Sequence, residues 1–129
     1  MKALSSLKLA HVAAKAADEK QGKDILALDV RKLTAVTEYF LFVSGTSHVH
    51  VRALEDEIRK QAGDAGGTLR RTDGQRGYPW RVLDYGDVIV HIMDQPTREF
   101  YSIERLWNQG KRLDLIKPKK KAPRKRVLA

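Results

Sequence analysis

The stretch Trp80–Trp107 reads WRVLDYGDVIVHIMDQPTREFYSIERLW and combines a pair of strands with an aromatic helix. Side chains of a β-strand alternate between its two faces. Residues 88–93 therefore form two sets, with Val88, Val90 and Ile92 on one face and Ile89, His91 and Met93 on the other. A strand that is apolar on both faces belongs in the middle of a sheet, with a cover on each side. This stretch predicts the central strand around which the rest of the chain folds.

A hairpin and a helix flank this strand. Asp84-Tyr85-Gly86-Asp87 separates it from the short run Trp80–Leu83, and Asp and Gly favour tight reversals, so the sequence predicts a β-hairpin. Pro96 marks the start of a helix that continues to Trp107. Its apolar residues recur at intervals of three and four and predict one stripe that lies on the sheet, made by Phe100, Ile103 and Trp107.

The chain before this stretch supplies two more helices and three more strands. Apolar residues at helical spacing predict helices over residues 6–19 and from about residue 47 to residue 62, with N-caps at Ser5 or Ser6 and at Thr46 or Ser47. Short apolar runs predict two neighbouring strands and a third short one, at Ile25–Val30, Glu38–Ser44 and near Thr68–Arg71. The order is α-β-β-α-β-β-β-α. We expect an α/β (α+β) fold of one domain, with a mixed sheet of about five strands covered by helices.

Length and composition limit the class of protein. At 129 residues the chain is the size of one domain, able to bury about two thirds of its unfolded surface. It contains no cysteine, which fits the reducing cytoplasm. No apolar run approaches the ~20 residues that span a bilayer, and Lys8 and His11 interrupt the N-terminal region where a secretory signal would be continuous. We therefore expect a cytoplasmic protein with no membrane partner.

The net charge of +9 is concentrated at one end of the chain. Residues 111–129 contain nine Lys or Arg and one Asp, which leaves the first 110 residues nearly neutral. A like-charged segment that contains proline cannot bury apolar surface. We expect a folded domain over residues 1–110 and a disordered basic tail over residues 111–129. Such a tail would attract RNA of any sequence by releasing counterions.

Several motifs occur together and in order. They are Trp80, Asp84-Tyr85-Gly86-Asp87, Val90-His91, Arg98, Phe100-Tyr101 and Glu104-x-Leu106-Trp107, preceded by Asp24-Ile25-x-Ala27-Leu28-Asp29-Val30, Thr37-x-Tyr39-Phe40 and Ser44-Gly45-Thr46-Ser47. This set resembles the ribosomal silencing factor family, RsfS, also called Iojap-like. The resemblance covers about Leu9 to Trp107 at the spacings of the family, and the basic tail departs from the family pattern.

The resemblance implies a nucleotidyltransferase-like fold and the function of a translation repressor. Members bind ribosomal protein L-fourteen on the large subunit and sterically block association with the small subunit, and they also form homodimers. Carried over residue by residue, the contact with the ribosomal protein falls on Trp80, Leu83, Asp84 and Tyr85. An aromatic anchor edged by carboxylates suits a basic ribosomal protein. From the residues alone, a Trp on a hairpin strand fits a partial core position as well as a binding anchor.

Acidic and histidine side chains form no recognisable metal or catalytic motif in the sequence. Asp84 and Asp87 flank a turn, where Asp accepts hydrogen bonds from the backbone. His48 and His50 are two residues apart, whereas a helical metal pair needs a spacing of three or four. We expect no metal and no cofactor.

Ser44-Gly45-Thr46-Ser47 suggests two enzymatic hypotheses. The resemblance relates this turn to nucleotidyltransferases, but the next predicted strand, near Thr68–Arg71, offers cations where paired aspartates should hold Mg²⁺. A hydrolytic pair of Ser44 and His48 lacks a third group that orients it. We therefore expect no catalytic residue and no enzymatic activity. The alternative from another class is an RNA-binding module that acts through the basic tail.

Overall fold

Two parallel strands form the centre of the fold, β2 (Tyr39–Gly45) and β5 (Val88–Asp94). The structure, a computed structural model, describes residues 4–74 and 79–116. The two strands pair without interruption from Tyr39 opposite Val88 to Gly45 opposite Asp94. Every residue of β2 is buried, and β5 is buried on both faces except at Ile89 and Asp94, so the predicted central strand is confirmed.

Four further strands complete a mixed sheet in the order β3-β4-β5-β2-β1-β6. The antiparallel neighbours of the central pair are β1 (Lys23–Asp29) on β2 and β4 (Trp80–Asp84) on β5, as the sequence predicts. The edges are β3 (Arg71–Asp73) and β6 (Lys111–Leu113). The mixed α/β architecture is confirmed, with six strands where about five were expected.

The sixth strand corrects the predicted start of the tail. Residues 111–113 pair antiparallel with β1, from Lys111 opposite Asp29 to Leu113 opposite Ala27. Leu115 is then nearly buried in the main core. Lys111 and Arg112 hide this strand in the sequence, because on an edge strand they can pair through the backbone while their side chains stay in solvent. The predicted boundary at Gly110 is therefore too early, and residues 117–129 lie outside the described residues.

Two long helices cover one face of the sheet, α1 (Ser6–Glu19) and α2 (His48–Asp64). Their predicted caps are resolved to Ser5, whose side chain accepts a hydrogen bond from the Lys8 N–H, and Ser47, which accepts one from the His50 N–H. The buried face of α1 is mostly alanine, so this helix packs closely against both α2 and the sheet. In the part of the chain that the structure describes, no helix is long and apolar enough to cross a membrane.

A buried ion pair fixes the hairpin to α2. Both Glu55 and Arg81 are buried, and Arg81 donates from Nε to Glu55 Oε1 at 2.8 Å and from Nη2 to Oε2 at 2.7 Å. Arg59 donates to the same carboxylate at 3.1 Å, and Arg81 also donates to the carbonyl of Gly74. A two-point contact of this kind specifies one orientation of the two side chains. It therefore ties β4 to the helical layer.

The opposite face has a smaller cover, and here the predicted helix is wrong. Helix α3 (Gln95–Tyr101) ends at Ser102, which has a left-handed backbone with φ 45°, and a 3₁₀ segment (Ile103–Trp107) follows. Ser102 stabilises this break because its N–H donates to the Arg98 carbonyl and its hydroxyl donates to the Glu99 carbonyl, each at 2.8 Å. Ile103 and Trp107 pack on the sheet as predicted, but Phe100 is 80% exposed.

His91 lies at the centre of this second face. Its ring stacks on Phe42 with centroids 5.2 Å apart, and its Nδ1 accepts a hydrogen bond of 3.2 Å from the Trp80 indole N–H. An indole N–H can only donate, so Nδ1 must carry a lone pair and the imidazole is neutral. Burial of His91 lowers its pKa to about 4. The default interpretation of His91 as a hydrogen-bonded core histidine is therefore confirmed.

We predict that truncation after Gly110 destabilises the protein, whereas truncation after Ile116 does not. The shorter chain loses β6 and the buried side chain of Leu115. At about 1.5–3 kcal/mol per buried Leu, the loss should be about 3 kcal/mol, which lowers the unfolding midpoint by roughly 10 °C. Thermal unfolding followed by circular dichroism measures this difference. Equal midpoints for the two truncations would contradict the place of β6 in the fold.

We also predict that His91 makes the stability of the protein depend on pH. The pKa of His91 is depressed in the folded state, so below the unfolded value near 6.5 the unfolded chain binds the proton that the folded chain refuses. Stability should fall as the pH decreases from 6.5 towards 4, by about 2 kcal/mol at pH ~4.5 for this group. Denaturant unfolding of the wild type and of His91→Phe, each at pH ~6.5 and pH ~4.5, isolates the contribution of His91 to the free energy of unfolding. The idea fails if both proteins show the same pH dependence.

Candidate functional site

The most distinctive surface is a row of three aromatic rings on the less covered face of the sheet. Trp80 is partly buried in β4, and its ring centroid is 5.0 Å from that of Tyr101 in α3. Tyr101 in turn meets Phe100 edge to face at 4.9 Å. The exposed fractions are 56% for Tyr101 and 80% for Phe100. We call Trp80, Tyr101 and Phe100 the aromatic surface.

The hydrogen bond to His91 fixes the position of Trp80. The indole would have several rotamers on an open strand, but its N–H is bonded to His91 and its ring is in contact with Tyr101. One edge of the indole is thus held by the core while part of the ring remains accessible. A rigid aromatic side chain with one satisfied polar atom is typical of an interface anchor.

Sequence reasoning missed Phe100 and Tyr101 as surface residues. Helical spacing predicts that both belong to a continuous helix whose stripe, including Phe100, covers the sheet. Because the helix ends at Ser102, Phe100 does not continue the buried stripe of Ile103 and Trp107, and the side chain of Leu106 is also exposed, at 76%. The two adjacent aromatic residues are visible in the sequence, but helical spacing favours the other interpretation.

Asp84 lies at the far end of the same strand face as Trp80. Asp84 follows Trp80 by four positions, which is roughly 13 Å along a strand. The Asp84 carboxylate accepts a hydrogen bond of 2.7 Å from the Gly86 N–H, and Gly86 has a φ of 90° in the two-residue loop. The predicted turn role of Asp84 is confirmed. Arg71 Nε is 3.9 Å from the same carboxylate, so its negative charge is partly compensated.

Leu83 and Tyr85 do not reach the surface, although the resemblance implies that both contact the ribosomal protein. Leu83 is 0% exposed and opposes Val90 in the main core. Tyr85 is also buried there, and this burial raises the pKa of its hydroxyl. Alternation along β4 places Leu83 on the face opposite Trp80. Of the four predicted contact residues, the structure therefore leaves Trp80 and Asp84 accessible, while Leu83 and Tyr85 belong to the core.

A polar cluster lies where β2 and β5 both end, at the place of the enzymatic hypotheses. Buried Arg98 donates from Nη1 to the Ser44 hydroxyl at 2.9 Å and from Nε to Glu104 at 3.1 Å. The Ser44 hydroxyl is itself buried and accepts from a cation, which opposes its use as a nucleophile. Arg98 thus joins the end of β2 to the 3₁₀ segment and serves the fold.

The neighbouring ionisable groups also have structural partners. Asp94 caps α3 by accepting from the Thr97 N–H at 3.0 Å, and His48 Nε2 is 3.8 Å from the same carboxyl group. His50 bonds to the Lys20 carbonyl at 2.8 Å through Nε2 and to the Thr46 N–H at 2.9 Å through Nδ1. Within residues 4–74 and 79–116, no three His, Cys, Asp or Glu side chains are grouped so as to hold a metal ion.

Comparisons with known proteins agree on one family. The family model described as "Ribosomal silencing factor during starvation", RsfS, matches residues 3–127. This match extends through most of the basic tail, further than the motifs do. The ribosomal silencing factor RsfS of Bacillus subtilis is 38% identical over 104 residues, which cover 81% of this chain and 88% of the relative.

Solved structures show the same fold. A crystal structure of a protein from Chromobacterium violaceum superposes with a TM-score of 0.77 at 32% identity, covering 85% of this chain and 91% of that one. A second, from Bacillus halodurans, gives a TM-score of 0.72 at 28% identity, covering 84% and 98%. The motifs, the family model and these likenesses lead to one conclusion: the chain belongs to the ribosomal silencing factor family, RsfS, whose members are ribosome-associated silencing proteins.

Proposed function

We propose that this protein is a translation repressor that binds ribosomal protein L-fourteen on the large subunit and so blocks association with the small subunit. The proposal starts from membership of the silencing family and from the resemblance of the hairpin motif. The protein would act by occupying the surface of the large subunit that the small subunit needs. It requires no covalent step, no metal and no cofactor, and it would take place in the cytoplasm, where the subunits meet.

The observation that carries the proposal is the aromatic surface. Soluble proteins rarely expose several large apolar side chains side by side without a partner. Trp80, Tyr101 and Phe100 do so on a face that α3 and the 3₁₀ segment cover incompletely. Aromatic anchors surrounded by polar residues dominate the affinity of protein interfaces. We therefore extend the proposed contact from Trp80 and Asp84 to Tyr101 and Phe100.

Asp84 would contribute an electrostatic attraction to the proposed contact. Its carboxylate is partly exposed and is paired with Arg71 only at 3.9 Å. A basic partner such as a ribosomal protein could replace this weak contact with a shorter one. The expected contribution of Asp84 is therefore smaller than that of Trp80 and sensitive to salt.

We predict that Trp80→Ala and Phe100→Ala each weaken binding to purified large subunits. Removal of a hot-spot aromatic side chain costs about 2 kcal/mol or more, so the dissociation constant should rise about 30-fold for Trp80→Ala. Phe100 is 80% exposed, so its loss should affect binding without reducing stability. Co-sedimentation with large subunits measures binding, and the same samples mixed with small subunits measure the fraction of joined ribosomes.

Matched variants separate docking from folding. Val49→Ala removes an apolar side chain that is also exposed, 72%, but lies on α2, and it should bind as the wild type does. Asp84→Asn keeps an oxygen for the Gly86 N–H and removes the charge, so it should weaken binding about fivefold at low salt. A pull-down with isolated L-fourteen identifies the partner. Normal binding by both Trp80→Ala and Phe100→Ala would refute the proposed surface.

We also propose that two copies cover the aromatic surface when no ribosome is bound. The exposed side chains of Phe100, Tyr101 and Leu106 favour a self-complementary apolar contact. Light scattering coupled to gel filtration should give the mass of a dimer for the wild type and of a monomer for Phe100→Glu. A dimer that persists in Phe100→Glu would place the contact elsewhere.

A further inference from the structure

A basic cavity lies at the end of the sheet where β1 and β6 meet. Its volume is about 420 Å³, and its lining consists of Asp29, Arg31, Lys32, Leu33, Gln109 and Lys111. Three of these six side chains are cations and one is an anion. The cavity is separate from the aromatic surface, since none of its lining residues belongs to that surface.

The arginine of this cavity is held in position by its neighbours. Arg31 donates to Asp29 from Nε at 3.0 Å and from Nη2 at 2.8 Å, and its guanidinium lies 5.5 Å from the centre of the Tyr39 ring. The hydrogen bonds from Arg31 lower the pKa of Asp29, so this carboxylate stays charged and holds the fork. These two bonds use two of the five N–H donors that a guanidinium carries.

The charge balance of the cavity favours an anionic ligand. Asp29 is compensated by Arg31, which leaves the charges of Lys32 and Lys111 in excess. Both lysines are exposed. Glu38 also acts electrostatically on Arg31, but it does not line the cavity. A cavity with one guanidinium oriented by hydrogen bonds and two exposed ammonium groups has the donors that phosphate groups prefer.

The composition of the chain after β6 favours a ligand with repeated negative charges. After Ile116, seven of the 13 residues are Lys or Arg and none is acidic. The cavity includes Lys111, the first residue of the strand that leads to this segment. An RNA backbone carries one phosphate per nucleotide and can meet several cations in succession, with affinity supplied by counterion release.

We propose that the cavity lined by Arg31, Lys32 and Lys111 binds phosphate groups of an RNA backbone. The site belongs to the folded domain and acts in addition to the basic segment that follows it. It does not depend on the proposed contact with L-fourteen, because its residues lie outside the aromatic surface.

The test measures binding of the full chain to a fluorescein-labelled RNA duplex of about 20 base pairs, by anisotropy at several salt concentrations. The double variant Lys32→Gln, Lys111→Gln should bind at least about tenfold more weakly and should reduce the slope of log K against log salt by about 2. The matched control Lys20→Gln, Lys60→Gln removes two exposed lysines that do not line the cavity. It should lose much less affinity.

Three outcomes would overturn the proposal. The first is wild-type affinity of the cavity variant. The second is an equal loss of affinity in the control variant, which would show that net charge explains the effect. The third is equal competition by polyglutamate of matched charge, which would favour an acidic protein as the ligand. Trp80→Ala should keep its full affinity for the duplex. If the cavity variant binds RNA as the wild type does, the proposed contact with L-fourteen is unaffected. If Trp80→Ala and Phe100→Ala bind the large subunit normally, the RNA proposal is unaffected.

Discussion

The parallel pairing of β2 with β5 is the constraint on which the other elements depend. Both strands carry large apolar side chains on both faces, so neither face of the sheet can be left to water. Helices α1 and α2 cover one face of the sheet with a close-packed layer of alanine and branched side chains. The short α3 and the 3₁₀ segment must cover the other face, because the remaining described elements all belong to the sheet or to the first layer.

This unequal coverage explains where the exposed aromatic rings lie. Trp107 and Ile103 reach Phe40 and the middle of the second face, whereas over β4 Tyr101 contacts Trp80 but leaves it only partly buried. Trp80 is therefore half in the core and half at the surface, and Phe100 and Tyr101 extend beyond it. The proposed docking surface is the boundary of an incomplete hydrophobic layer, and the same side chains contribute to folding and recognition.

Much of this architecture could be predicted from the sequence, where periodicity reports burial directly. The alternation at residues 88–93 and the loop Gly86-Asp87 define the centre and its hairpin without knowledge of other elements. Three features could not be predicted. The break at Ser102 depends on a backbone conformation that Ser adopts only with local hydrogen-bond support. The strand Lys111–Leu113 is charged because it lies at an edge. Alternation puts Leu83 and Trp80 on opposite faces of β4, but which of the two faces is covered completely depends on the packing of the other elements.

The ion pair of Arg81 with Glu55 has a consequence for the kinetics of recognition. Arg81 lies between Trp80 and Val82 in β4, on the face opposite to theirs, so the strand that offers the indole is anchored through the protein interior. A partner would meet a template that is already ordered and would not have to arrange it. Little configurational entropy is then lost on complex formation, and encounter is limited by orientation rather than by a slow rearrangement of this protein.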